Sequence, residues 1–140
     1  MSLDLSRPKD VHIDERLRKE PIIWLSTVRP DGRPHLVPVW FFWDGQTITI
    51  YSQPGSLKMR NLQHNTNVAL ALDTSDEGDD VVIIEGKAEL LGSSTQTMND
   101  SKYIAKYEAL IKRMDSDPEE LAASYSEVIR VIPTKFISWN

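Results

Sequence analysis

The sequence predicts a mainly β protein, a small antiparallel barrel of six or seven strands with a few short helices laid over it. Short β-prone runs broken by Asp-Gly and Pro-Gly pairs fill most of the 140 residues, whereas helical periodicity is confined to a few stretches. A hydrophobic content of 40% is enough for one sizeable core, so residues 1–140 read as one domain, with 1–20 as an N-terminal arm and short helix. There is no cysteine, so packing alone must hold the fold together.

The first element is helical. Asp14 to Glu20 is rich in helix formers and stops at Pro21, which disfavours a helical residue before it. Ile22 to Val28 then runs apolar and β-prone into Pro30-Asp31-Gly32-Arg33, a hairpin turn in which Asp-Gly supplies positive φ. The second strand, His35 to Trp43, places Leu36, Pro38, Trp40 and Phe42 on one face and Val37, Val39, Phe41 and Trp43 on the other. Both faces are apolar, as in a barrel wall covered from outside or an oligomer interface, and Pro38 demands an edge or a bulge because it has no N–H.

Asp44-Gly45 makes the next hairpin turn, into a strand from Thr47 to Ser52. Pro54-Gly55 breaks that strand, Ser56 caps a short helix from Leu57 to Gln63 with Leu57 and Leu62 for the core, and His64 to Asn67 ends it. Val68 to Leu72 is a fourth strand. The acidic stretch Asp73 to Asp80 reads as a solvated, mobile hairpin tip.

A long fifth strand follows, with Val82, Ile84, Gly86, Ala88 and Leu90 facing inward and Glu85, Lys87 and Glu89 outward to solvent or a partner copy. Thr95 to Met114 turns helical, with Met98, Ile104, Tyr107, Leu110, Ile111 and Met114 loosely on one side. Asp117-Pro118 starts a last short helix ending near Ala123, and Val128 to Pro133 and Lys135 to Trp139 close the chain as two strands.

A net charge of -5 argues against nucleic-acid binding, so any anion site must be local. Met1 to Val11 lacks an apolar signal core and no run approaches the roughly 18 to 20 apolar residues of a membrane span, so the expectation is a cytoplasmic protein away from the membrane. His12, His35 and His64 lack metal-ligand spacing and read as structural or surface residues, and no G-x-S-x-G nucleophile context appears. Ser56-Leu57-Lys58-Met59-Arg60-Asn61 is the one segment with an electrostatic oddity. Cations in the first turn oppose the helix dipole unless an anion sits there.

The ordered run of Pro30-Asp31-Gly32-Arg33-Pro34-His35, Pro38-Val39-Trp40-Phe41, Asp44-Gly45, Tyr51-Ser52, Ser56 to Leu62 and Asn67-Val68-Ala69-Leu70 resembles the pyridoxamine 5'-phosphate oxidase-like superfamily. Within it, the match is best to the flavin- and deazaflavin-dependent oxidoreductase branch, and the ending Phe136-Ile137-Ser138-Trp139 is similar too. The resemblance implies a split β-barrel of the FMN-binding type and a homodimer whose two cofactor grooves are each built by both chains. It implies that Val37, Pro38, Val39, Trp40, Tyr51, Ser52 and Gln53 lie along the cofactor ring, and that Ser56, Lys58, Arg60 and Asn61 hold its phosphate.

The activity implied is hydride transfer between reduced coenzyme F420, or FMN, and a small organic substrate. The ring itself performs that transfer, so no catalytic residue is named. A non-catalytic carrier of flavin, deazaflavin or haem would use the same ring-binding residues. Pyridoxamine 5'-phosphate oxidase activity itself is disfavoured, because the chain ends at Ser138-Trp139-Asn140 without that enzyme's C-terminal Arg/His substrate motif.

Overall fold

The computed structural model describes residues 2–74, 76–93 and 101–139. Helix α1 (Pro8–Lys19) starts at Pro8 rather than at Asp14, because proline fits the first helical turn, where its missing N–H has no partner to lose. It ends where expected, with Glu20 extended ahead of Pro21. Ile13 and Leu17, one turn apart, are buried against the barrel.

Seven strands follow: β1 (Ile23–Val28), β2 (Pro34–Val39), β3 (Phe42–Trp43), β4 (Ile48–Ser52), β5 (Asn67–Leu72), β6 (Val81–Ser93) and β7 (Glu127–Trp139). All neighbours are antiparallel, in the order β2-β1-β5-β6-β7-β4-β3. The two edge strands, β2 and β3, are consecutive in the chain and joined only by Trp40 and Phe41. A two-residue link reaches roughly 10 Å, so the sheet must roll until its edges nearly meet.

The strand count agrees with the sequence, but the partition differs twice. The expected second strand is cut at Trp40–Phe41, where the chain leaves one edge of the sheet for the other. The expected last two strands are one, because Pro133 and Thr134 make a bulge opposite Glu85 and Gly86 rather than a break. Gly86 is required there: a Cβ on it would lie 2.7 Å from the Ile132 carbonyl oxygen. Pro38 sits on an edge strand, as its missing donor demands.

Helix α2 (Leu57–His64) connects β4 to β5, and α3 (Ser101–Arg113) and α4 (Pro118–Ser124) lie between β6 and β7. Of the expected apolar stripe on α3, Tyr107 and Ile111 are buried with Tyr103, Ile104 and Leu110 are partly buried, and Met114 is exposed; Met98 lies outside the described residues.

The core has two parts. The barrel interior is filled by Ile23, Leu25, Phe41, Trp43, Ile48, Ile50, Leu62, Leu70, Ile84 and Ile129, among others. A second cluster, Tyr51, Tyr103, Tyr107, Ile111, Leu121 and Val128, packs α3 and α4 against the outside of the wall, with Trp40 and Phe42 at its margin. This explains half of the doubly apolar second strand: α3 covers Trp40 and Phe42, while Leu36 and Pro38 on β2 remain exposed.

The acidic stretch Asp73 to Asp80 is not simply a solvated tip, because α1 ties down both its ends. Buried Arg16 donates to the carbonyls of Asp73 and Asp80, His12 bonds the Asp80 carboxylate at 2.7 Å, and Trp24 Nε1 donates to Asp73 at 2.6 Å. No helix among the described residues is long and apolar enough to cross a membrane.

Candidate functional site

Where β2 ends at the sheet edge, a cavity of about 380 Å³ opens between the barrel wall and the outer helices. One wall is the run Val37, Pro38, Val39 and Trp40 with Ile22 behind it; Tyr51 and Gln53 come from the end of β4, and Lys58 from the first turn of α2. Tyr103 of α3, Met114 just beyond it, Leu121 of α4 and Tyr125 after it form a roof. Among the described lining residues Lys58 is the one charged group; no carboxylate and no histidine lines the cavity. Other hollows lie beside α1 and on the outer face of β5, and none of the predicted site residues lines them.

The walls are aromatic because strand and helix periodicities coincide there. Tyr103 and Tyr107, four apart on α3, face the same side. Tyr107 stacks on Trp40 with ring centres 4.4 Å apart and planes 1° from parallel, and Tyr103 meets Tyr51 edge-to-face at 4.7 Å. The remainder of the aromatic run belongs to packing. Phe41 and Trp43 are fully buried, and Trp43 Nε1 donates to Asp14 at 2.8 Å.

The predicted phosphate segment is a capped helix start. Gly55, at φ +70°, turns the chain out of β4, and the Ser56 hydroxyl oxygen accepts from Met59 N–H at 3.4 Å. Ser52, fully buried, donates to the Gln53 carbonyl at 3.1 Å, which leaves Ser56 to donate to Ser52 across 3.0 Å. Both hydroxyl protons are thereby engaged within the chain. Asn61 is also fully buried, with its amide nitrogen donating to Thr27 Oγ1 at 3.0 Å and its carbonyl oxygen without a partner among the described residues. Arg60 points outward and is exposed.

The structure therefore brings Val37, Pro38, Val39, Trp40, Tyr51, Gln53 and Lys58 to one cavity, with Ser52, Ser56, Asn61 and Arg60 behind or beside it. Lys58 is half-buried and makes no ion pair with any described residue, and burial holds its pKa below the ordinary lysine value. His35, which the sequence placed among structural residues, belongs to the same electrostatic neighbourhood. Burial, then Arg29, then Lys58 push its pKa down, and its Nδ1 is buried without a partner among the described residues. Lys58 and Arg29 both act on His35, which makes a patch of positive potential beside the N-terminus of α2, with the Asp31 carboxylate near Arg29 on its outer side. The residues present thus suit a planar apolar ring carrying an anionic group. The roof residues were missed because their function depends on α3 and α4 folding back over β2, which no local motif encodes.

Residues 10–140 match the family model described as pyridoxamine 5'-phosphate oxidase. The chain belongs to that family. Among solved structures, an F420 reductase is 27% identical, with a TM-score of 0.63 over 88% of this chain and 94% of that one. A conserved hypothetical protein from Mycobacterium tuberculosis is 23% identical, with a TM-score of 0.75 over 93% of this chain and 83% of that one. HutZ, the haem storage protein from Vibrio cholerae, is 14% identical, with a TM-score of 0.65 over 99% and 96%. The last two likenesses show the shared split-barrel fold alone. A search of curated proteins gives no match.

Proposed function

We propose that this member of the family is an oxidoreductase that holds a phosphate-bearing flavin-type cofactor, coenzyme F420 or FMN, in the cavity under α3 and α4. The observation that carries this is Lys58: a half-buried ammonium with no carboxylate partner among the described residues, at the positive end of a helix, in a cavity lined mainly by apolar and aromatic side chains. Val37 to Val39 and Trp40 would hold a flat ring, Gln53 would read its polar edge, and Lys58 with the first free amides of α2 would take the phosphate. When bound, such a ring supplies hydride chemistry, which leaves the chain to orient the substrate and exclude water. The absence of an acid–base pair among the described lining residues accords with that division of labour.

Exposed Leu36 and Pro38, beside the cavity on an unpaired sheet edge, favour a homodimer in which a second copy covers this face. A carrier of the same cofactor is the second reading, since a described lining without a carboxylate or histidine equally suits storage. Titration with coenzyme F420 and with FMN, followed by the ring's absorbance and by tryptophan quenching, is the deciding experiment. Saturable binding of one of them is expected, and binding of neither overturns the reading. Stopped-flow mixing of the reduced complex with quinones, enones and nitroaromatics then separates enzyme from carrier, with uniform inertness favouring the carrier.

A further inference from the structure

Three polar groups of the barrel are tied to α3 where β2 gives way to β3. Phe41, between the two edge strands, is fully buried, and its N–H and C=O would be orphaned there without a substitute for a strand partner. Tyr107 supplies one. Its hydroxyl oxygen accepts from Phe41 N–H at 2.8 Å, and its single proton is shared between the carbonyls of Phe41 at 2.9 Å and Pro21 at 2.7 Å. Lys106 Nζ donates to the same Phe41 carbonyl at 2.9 Å and lies 3.7 Å over the Phe41 ring. The Tyr107 ring also lies flat on Trp40, the cavity wall, and α3 carries Tyr103 of the roof one turn earlier. One helix thus closes the gap in the sheet, sets the wall and places the roof.

We propose that Tyr107 and Lys106 form a latch that holds the α3–α4 roof shut over the cavity and fixes the ring of Trp40, making Tyr107 a positioning residue for the planar ligand. This rests on the reading of the cavity as a ring site. The latch is also pH-sensitive. Among the described residues, the charged and titratable groups beside Lys106 are Glu20, from the end of α1, and the Tyr107 hydroxyl. Burial lowers the Lys106 pKa from 10.5 to about 8, with Glu20 opposing, whereas burial raises that of Tyr107 so that its proton stays on. An undocked helix therefore binds more protons between pH 8 and 10.5, and docking strengthens as pH rises through that window. A proton held tenfold less tightly by the docked helix changes the docking equilibrium tenfold, and solvent screening of a partly exposed group reduces the whole effect to about tenfold to a hundredfold.

Tyr107→Phe keeps the stacked ring and removes the hydroxyl; Lys106→Met keeps the stem and removes the charge. In the ligand-free protein, amide exchange in α3 and α4 is expected to quicken about tenfold or more in Tyr107→Phe, while β5, β6 and β7 keep their protection. Emission from Trp40, taken as the difference from Trp40→Phe, should shift with it. In the wild type, protection of α3, corrected for intrinsic exchange, should rise from pH 7 to 10, and in Lys106→Met it should be flat. Unchanged α3 protection, or an equal loss in every strand, overturns the latch. If Tyr107→Phe does not fold, the comparison of wild type with Lys106→Met over pH decides alone. These readouts need no ligand. Failure of FMN and coenzyme F420 to bind would count against the proposed function, while faster exchange confined to α3 and α4 would still support the latch.

Discussion

Replacing Lys58 by methionine keeps a side chain of similar length and removes the charge at the end of the cavity. A hydrogen bond to a charged group contributes about 1.5 to 3 kcal/mol. Lys58 is half-buried, which places it toward the lower part of that range, at about 1.5 to 2 kcal/mol, or a ten- to thirtyfold loss of affinity for FMN or coenzyme F420. Arg60→Gln is the control on the same helix: Arg60 is exposed, and exposed pairs contribute about 0 to 1 kcal/mol, less than about fivefold. The two should also differ in salt dependence, because a half-buried charge is screened less than an exposed one. Unliganded Lys58→Met should melt no lower than the wild type, since it removes a partly buried charge that has no ion-pair partner among the described residues. Calorimetric titration at fixed ionic strength reads the affinities. Equal affinity in Lys58→Met and wild type, or a larger loss from Arg60→Gln, would refute the anion assignment.

His35 gives the site a pH dependence of defined sign: its pKa is depressed in the free protein by burial, Arg29 and Lys58, and a bound phosphate would offset the two cations and raise it. Binding then takes up a proton, so affinity should increase as pH falls through the ordinary histidine range near about 6.5, and His35→Gln should flatten the profile measured by titration at several pH values. Gly86→Ala places a Cβ 2.7 Å from the Ile132 carbonyl and 3.0 Å from Val131 Cγ1, and should destabilise by about 1 to 3 kcal/mol in urea unfolding. Gly32→Ala, at φ +89° with open space around it, should lose only the backbone cost of about 1 to 2 kcal/mol, and a larger loss there than at Gly86 would overturn the packing argument.

Sequence signals are legible where the physics is local. Asp31-Gly32 and Asp44-Gly45 form hairpin turns, with Gly32 at φ +89° and Gly45 at φ +100°, and Ser56 and Asp117 cap the helices they precede. Pro38 marks an edge because a missing N–H is a property of one residue. The division of the second strand is invisible, since Trp40 and Phe41 are as β-prone as their neighbours and only the closure of the sheet requires a break there. Pro133 reads as a stop and proves to be part of a bulge, because Gly86 on the partner strand makes room that no window around Pro133 contains. At the site, Lys58 is legible from its position on a helix, whereas Asn61 looks identical to it in sequence yet faces inward to Thr27. Tyr103, Tyr125 and His35 enter through tertiary contacts alone.

The position of β7 in the sheet bears on how the chain reaches this structure. It pairs β6 on one side and β4 on the other, with Ile48 opposite Val131, so this strand, which follows the other six in the chain, is the one that joins the β2-β1-β5-β6 sheet to the β3-β4 hairpin. A chain without β7 would leave the edges of β6 and β4 unpaired in addition to those of β2 and β3. The β3-β4 hairpin therefore cannot join the rest of the sheet before β7 has formed, and a ribosome-stalled chain lacking residues beyond 126 should be captured by chaperones that a chain containing β7 does not recruit.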